Sequence, residues 1–371
     1  MGGKLQICHI IDTASANPLL FDSIRFSDRN RIDHTVISLA PAGELQIQMK
    51  ELGVRSFSLD YTSRRRALSV FRRLYSILRG EKIDIVQTHL FDASLLGLSA
   101  ALMARTPVRV FTGHHSHETP LHHRYLLTAL DGANGRFLAN HVIAPSRQMK
   151  EIFVQDLRVP EKKVSVIHHG LDLKSWRAAG SETKLREELE VGEKMIFLAA
   201  GRLFWVKDLV TLIEGFAAAV SDRDDAVLVI AGGGDDTQLR TLIASKELAG
   251  KVFLLGPRKD IASVMNACDV FVHTSIAESF GMVYIEAFAL GKPIICTPTG
   301  IAPDIVRDGE NGYLIPAGDH VSLAEAMTKM LDDRDRTRAM GVNGRQTAEN
   351  FAVQKTQVVC DEFYLKWFGE R

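Results

Sequence analysis

Short apolar runs rich in valine and isoleucine alternate with stretches of helical period along the whole chain. In the first half the runs predict strands at Leu5–Ile11, His34–Ser38, Ser56–Leu59, Ile83–Thr88, Val108–Thr112, Val142–Ala144 and Val164–Ile167. The second half repeats the scheme at Ile196–Ala200, Ala226–Ala231, Val252–Leu255, Val270–His273, Pro293–Thr297 and Gly312–Ile315. Strands separated by helical patterns argue for βαβ units, and continuous apolar runs suit parallel strands covered on both faces. The simplest architecture is two α/β sheets in tandem. His168-His169-Gly170-Leu171-Asp172 ends a strand and the polar stretch Ala178–Lys184 follows, so the domain boundary is expected within 168–195. The expected parts are a first domain at 1–170, a second at 171–350 and a final helix at 351–371. That helix carries Phe351, Phe363, Tyr364, Trp367 and Phe368, an apolar face that needs a partner surface.

Composition narrows this picture. A chain of 371 residues is too long for one ordinary core and suits two domains. No apolar run reaches the ~18–20 residues that span a bilayer, and Met1–Ile11 does not have the layout of a secretory leader. Cys8, Cys268, Cys296 and Cys360 are scattered without a Cys-x-x-Cys pair, which reads as reduced core cysteines in a cytoplasmic protein. Net charge is zero but uneven. Residues 1–170 hold 22 Lys/Arg against 15 Asp/Glu, or +7, and the remainder 45−22=23 against 45−15=30, or −7. A basic first half could meet an anionic acceptor or membrane surface. A neutral total and a basic stretch without interleaved aromatics argue against nucleic acid.

The chemistry concentrates in two segments of the second half. Gly201-Arg202-Leu203-Phe204-Trp205-Val206-Lys207 leaves a strand and enters a helix. A guanidinium fork and an ammonium there can neutralise a diphosphate, most usefully as a leaving phosphate gains charge. Cations at a helix start are unfavourable unless an anion is present, which points to a bound anion. Glu278-Ser279-Phe280-Gly281-Met282-Val283-Tyr284-Ile285-Glu286 follows the strand Val270–His273. Gly281 allows close backbone approach, and the next helix start offers N–H groups to an anion. Glu286, set among apolar helix residues, suits ribose hydroxyls, and Glu278 suits sugar hydroxyls.

The order and spacing of these segments resemble the retaining glycosyltransferases of family 4. Further matching stretches are Val142–Ser146, Val164–Asp172, Ala289–Ile295 and Asp308–Asp319, so the likeness covers most of the chain and is densest from 196 to 319. The resemblance implies a GT-B fold, with two Rossmann-like domains whose parallel sheets face across a cleft, and no essential metal or cofactor. It implies that Arg202 and Lys207 bind the diphosphate of a nucleotide sugar, UDP being the commonest base. Glu286 would bind ribose, and Glu278 with the backbone of Phe280, Gly281, Met282 and Val283 would hold the donor sugar. It implies net retention, an acceptor site in the first domain, and a final helix that crosses back to that domain. Another GT-B reaction, such as sugar-phosphate synthesis or epimerisation, or a degenerate nucleotide-sugar-binding protein, is the competing expectation.

In the first half, Val110–His117 resembles the family's strand ending in a histidine near the reacting carbon. His114 is the first choice for that place and His115 the second. A metal site is the rival reading of His114, His115, His117, His122 and His123, but no cysteine or aspartate joins them at ligand spacing. His89 and Asn17 are further acceptor-side candidates, and His89 equally suits a packed core. Two loops depart from the family. Asp12–Pro18 has no glycine where relatives are glycine-rich, and Thr299–Asp304 replaces a Gly-Gly and acid. The segment 64–79 sets Val70, Phe71, Leu74, Ile77 and Leu78 on one stripe, with Arg65, Arg66, Arg72, Arg73 and Arg79 largely opposite. That is a packed helix with a basic solvated face, or a peripheral dock on anionic lipid at the inner face of a membrane.

Overall fold

The computed structural model describes residues 3–113, 129–180 and 184–369. The chain divides into two compact units, one formed by the residues up to Gly170 with Val353 onward, the other by Leu171–Ala352. The break at 352 differs slightly from the sequence expectation. Phe351 sits in a short turn and its ring packs on Phe280 in the second unit, so the final helix starts at Val353.

The first unit holds a seven-stranded sheet ordered β3-β2-β1-β4-β5-β6-β7. The strands are β1 (Leu5–Ile11), β2 (Ile32–Ser38), β3 (Arg55–Ser58), β4 (Ile85–His89), β5 (Val108–Thr112), β6 (His141–Ala144) and β7 (Val164–Val166). The second unit repeats the order in six strands, β10-β9-β8-β11-β12-β13. These are β8 (Met195–Ala200), β9 (Ala226–Ala231), β10 (Val252–Gly256), β11 (Val270–His273), β12 (Ile294–Cys296) and β13 (Gly312–Leu314). Every ladder is parallel, so each unit is a doubly wound sheet whose strand order reverses once. The reversals fall between β1 and β4 and between β8 and β11.

The sequence pattern explains the burial. In β8, Ile196, Leu198 and Ala200 face one core while Met195, Phe197 and Ala199 face the other, so both sheet faces are covered. In the first unit Cys8 and Ile10 face the helix Ala67–Gly80, whose Val70, Leu74 and Leu78 are buried. Leu5 and Ile7 face the other way, where Phe363 and Tyr364 of helix Val353–Gly369 join Ile85, Val110 and Ile143. Arg65, Arg66, Arg72, Arg73 and Arg79 are exposed. No helix among the described residues is long and apolar enough to cross a membrane.

Candidate active site

In open α/β sheets ligands sit beyond the carboxyl ends of the strands, where the strand order reverses. In the second unit that place lies after β8 and β11, and the two segments picked out in the sequence are the two that leave these strands. Gly201 turns the chain out of β8 at φ +146. Its path runs against a second glycine run after β9: Leu203 N–H bonds to Gly233 O at 2.8 Å, and a Cβ on Gly232 would stand 1.7 Å from Gly201 O. This Gly232-Gly233-Gly234 support was not picked out in the sequence, although three consecutive glycines at a strand end signal close backbone approach.

Lys207 closes a short turn before helix Leu209–Ala219, which Asp208 caps by accepting from Thr211 N–H. The turn is clamped from β11. Thr274 Oγ1 donates to Lys207 O at 2.9 Å and to Asp208 O at 3.0 Å, and Ser275 Oγ donates to Val206 O at 3.1 Å. These anchors bring the Lys207 ammonium to Glu278 Oε1 at 2.5 Å, and the same oxygen accepts from His273 Nε2 at 2.8 Å. Side-chain exposures of 23% for Lys207, 11% for Glu278 and 4% for His273 make this a shielded triad. Burial pushes the Glu278 carboxyl up, but His273 and Lys207 outweigh it and hold it at about 2 instead of 4.5. His273 is thus a site residue that the sequence offered only as the last position of a strand.

Arg202 is exposed and, among the described residues, its guanidinium has no partner. It lines a small pocket with Gly201, Lys207, His273 and Thr274. Glu278 thus supplies an anion to Lys207, whereas Arg202 has no such partner among the described residues and is open to an incoming charge. Glu278 arrives there because the chain after β11 folds back through two glycines. Gly281 has φ +83, and a Cβ there would lie 2.4 Å from the Tyr284 ring. Gly300 has φ +60, and its Cβ would meet Phe280 O at 2.4 Å and Glu278 Cβ at 3.0 Å. So the single glycine of Thr299–Asp304 does bring backbone into close approach, against Glu278 and Phe280. The Phe280 ring is buried and its carbonyl accepts from Ile301 N–H, leaving the first turn of helix Met282–Ala289 as the backbone feature at this edge. Met282 and Val283 are half-buried there. Glu286, half-buried on that helix, makes no side-chain hydrogen bond or ion pair among the described residues, and burial raises its carboxyl to about 7.

In the first unit the corresponding strand ends are those of β1 and β4. Asn17 caps helix Pro18–Phe26, accepting from Leu20 N–H at 3.0 Å, and His89 ends β4 with Nε2 at 3.3 Å from His9 Nδ1. Both line one cavity of about 180 Å³. The glycine that the Asp12–Pro18 loop lacks is supplied from across it. Gly43 lies against Ala14, where a Cβ would stand 2.6 Å from the carbonyl. His114 and His115, with His117, His122 and His123, lie outside the described residues. Among the described residues no group of His, Cys, Asp or Glu is arranged to hold a metal.

Two family models match the chain, Glycosyltransferase Family 4 over residues 22–175 and Glycosyl transferases group 1 over residues 181–347. The chain belongs to the group 1 glycosyltransferases of GT-B fold and is a transferase enzyme. Among its relatives, the capsular polysaccharide biosynthesis glycosyltransferase CapM of Staphylococcus aureus is 25% identical over 374 residues, covering 96% of this chain and 95% of its own. The UDP-Gal:alpha-D-GlcNAc-diphosphoundecaprenol alpha-1,3-galactosyltransferase of Escherichia coli is 29% identical over 275 residues, 70% of each chain. The crystal structure of Anabaena HepE in complex with UDP-glucose matches this fold at a TM-score of 0.82 and 23% identity, over 99% of this chain and 100% of that one.

Proposed function

We propose that this glycosyltransferase moves a sugar, with net retention, from a UDP-sugar to a hydroxyl of a lipid-linked or cell-envelope saccharide, without a metal. The observation that carries the reading is Arg202, without a side-chain partner among the described residues, beside the Lys207–Glu278–His273 triad at the strand-order reversal. In this reading Arg202 forks onto the diphosphate. Lys207 turns from Glu278 toward the phosphate as charge develops on it. Glu278, then sharing only the His273 proton, takes sugar hydroxyls. The first turn of Met282–Ala289 adds N–H donors, and Glu286 accepts from ribose.

The UDP assignment is supported by the E. coli relative, named for UDP-Gal, and by HepE, solved with UDP-glucose. The acceptor class is supported by the same E. coli relative and by a Campylobacter jejuni relative named for a diphospho-undecaprenol acceptor, 24% identical over 90% of each chain. An acceptor on a lipid also gives the exposed arginines at 65, 66, 72 and 73 a partner, an anionic membrane surface. His89 and Asn17 fall on the acceptor side in this reading, with His114, or else His115, at the reacting carbon. An intact charged set argues against a degenerate binding protein.

A thermal-shift screen over UDP-, GDP- and ADP-sugars tests the donor. A ligand at 100 times its Kd stabilises by about 2.7 kcal/mol. UDP-sugars should raise the midpoint, and Lys207→Ala should abolish the shift. A shift with GDP- or ADP-sugars alone, or an undiminished shift in Lys207→Ala, refutes the assignment.

A further inference from the structure

Glu278 has two protein partners, and both reach the same oxygen. Oε1 accepts from the Lys207 ammonium at 2.5 Å and from His273 Nε2 at 2.8 Å, whereas Oε2 accepts from none of the described residues. An ionised carboxylate only accepts, so His273 carries a proton on Nε2. The two donors are held very differently. His273 ends β11, where it pairs in register with Cys296 and its carbonyl accepts Thr297 N–H at 3.1 Å. Its ring lies nearly parallel to Phe271 at 6.1 Å between centroids and meets the Tyr284 ring edge-on at 5.2 Å, and the Tyr284 hydroxyl pairs with Thr299 Oγ1 at 2.9 Å. Both rings are buried, and close packing leaves the imidazole one place to be.

Lys207 is fixed in its backbone, through the carbonyl that Thr274 holds, but a flexible methylene stem separates that anchor from the ammonium. The stem runs past the turn out of β8, where a Cβ on Gly201 would stand 3.6 Å from Lys207 Cε. Side-chain rotations alone can therefore move the ammonium off Glu278, within the pocket it shares with Arg202. That movement leaves a carboxylate in a shielded place, which is costly unless another group offsets it. Burial is the largest influence on the Glu278 carboxyl and pushes it up. The hydrogen bond and electrostatic pull of His273 come next, ahead of those of Lys207. The partner that stays is thus the one that does more to hold the charge.

We propose that His273 is a positioning residue that holds the Glu278 carboxylate in place while the Lys207 ammonium hands over to the phosphate of the donor. With Lys207 as sole partner, the ammonium could leave only by stranding a shielded charge, and an incoming phosphate would compete with Glu278 for it. With two donors on one oxygen the mobile one leaves and the rigid one keeps Oε1, so Oε2 keeps its direction. The hand-over to phosphate rests on the donor reading of the site, whereas the hold of His273 on Glu278 does not.

Lys207→Met imitates the departure of the ammonium and leaves β11 untouched. Carbon-13 spectra of the glutamate carboxyls of the full chain, with Glu278 assigned by its loss in Glu278→Gln, follow the titration. In Lys207→Met the Glu278 carboxyl should stay below its ordinary 4.5, and in Lys207→Met/His273→Leu it should rise above that value. A carboxyl at or above 4.5 in Lys207→Met overturns the proposal, whether or not the double variant folds. Calorimetry with UDP tests the hand-over. His273→Leu should weaken UDP binding by about tenfold or more, the order of a hydrogen bond to a charged group. His273→Gln, whose amide N–H can stand in for Nε2–H, should recover most of the loss. In a Glu278→Gln background, with no carboxylate to hold, His273→Leu should cost far less. An equal loss in both backgrounds, or no recovery in His273→Gln, marks His273 as a packing residue and overturns the proposal. A wild type that binds no UDP overturns the hand-over together with the donor reading, while the titration still decides whether His273 holds Glu278.

Discussion

Glu278→Gln isolates the electrostatics of the site, because glutamine keeps the size of the side chain and removes its charge. The Glu278 carboxyl titrates near 4.5 in the unfolded chain and at about 2 in the folded one. A depressed carboxyl contributes stability that is fully present above the unfolded value and is lost as pH falls through the folded one. The difference of about 2.5 units, at ~1.36 kcal/mol each, gives a contribution of about 3 kcal/mol. With Glu278 only 11% exposed, solvent screening takes little from it. The variant also strands the Lys207 ammonium beside a neutral amide, and removing one partner of a buried pair costs about 3–5 kcal/mol. Glu278→Gln should therefore be about 3 kcal/mol or more less stable than the wild type at pH 6, and the gap should close as pH falls from about 4.5 toward 2. Urea unfolding of both proteins between pH 2.5 and 7, followed by far-UV circular dichroism, measures that gap with the other carboxylates cancelled. A gap that stays constant with pH, or a variant more stable than the wild type at pH 6, refutes the coupling of Glu278 to Lys207 and His273.

Gly281→Ala should lower the urea midpoint of the protein. Forcing alanine to φ +83 costs ~1–2 kcal/mol and moving the Tyr284 ring, 2.4 Å from the new Cβ, ~1–3 kcal/mol, so wild-type stability in the variant would contradict the geometry. Glu286 works with the opposite sign. Its folded value of about 7 lies above 4.5, so its stability is full below pH 4.5 and lost as pH rises through 7. Glu286→Gln should flatten that loss, matching or exceeding the wild type at pH 8 while binding UDP-sugar more weakly. Unchanged UDP-sugar affinity measured by calorimetry would remove Glu286 from the site. Replacing Arg65, Arg66, Arg72 and Arg73 together by serine should abolish salt-sensitive flotation with anionic vesicles, at about 1 kcal/mol per basic residue near the surface. Flotation equal in the variant, or absent in the wild type, argues against membrane docking.

Strand positions were legible in the sequence because a parallel strand buried on both faces must be apolar throughout. β1, β5, β9 and β11 coincide with the runs read from the chain, and the other strands shift at their ends by one or two residues. Arg202, Lys207, Glu278 and Glu286 stood out in the sequence as candidates because charge at a strand end or inside an apolar helix needs a reason. Pairing was not legible. Nothing local tells that Glu278 closes on Lys207, 71 residues away, or that His273 donates to the same oxygen. Nor does anything local tell that Gly232–Gly234 shape the turn at Gly201, or that the Ser27 hydroxyl joins His34 of β2 to Asp361 of the last helix. By itself, then, the chain determined its two sheets and which side chains carry charge, since burial and helical or strand period are local properties. Which charge meets which only the tertiary structure decided, because such contacts join strand ends and loops that the parallel topology gathers from distant parts of the chain.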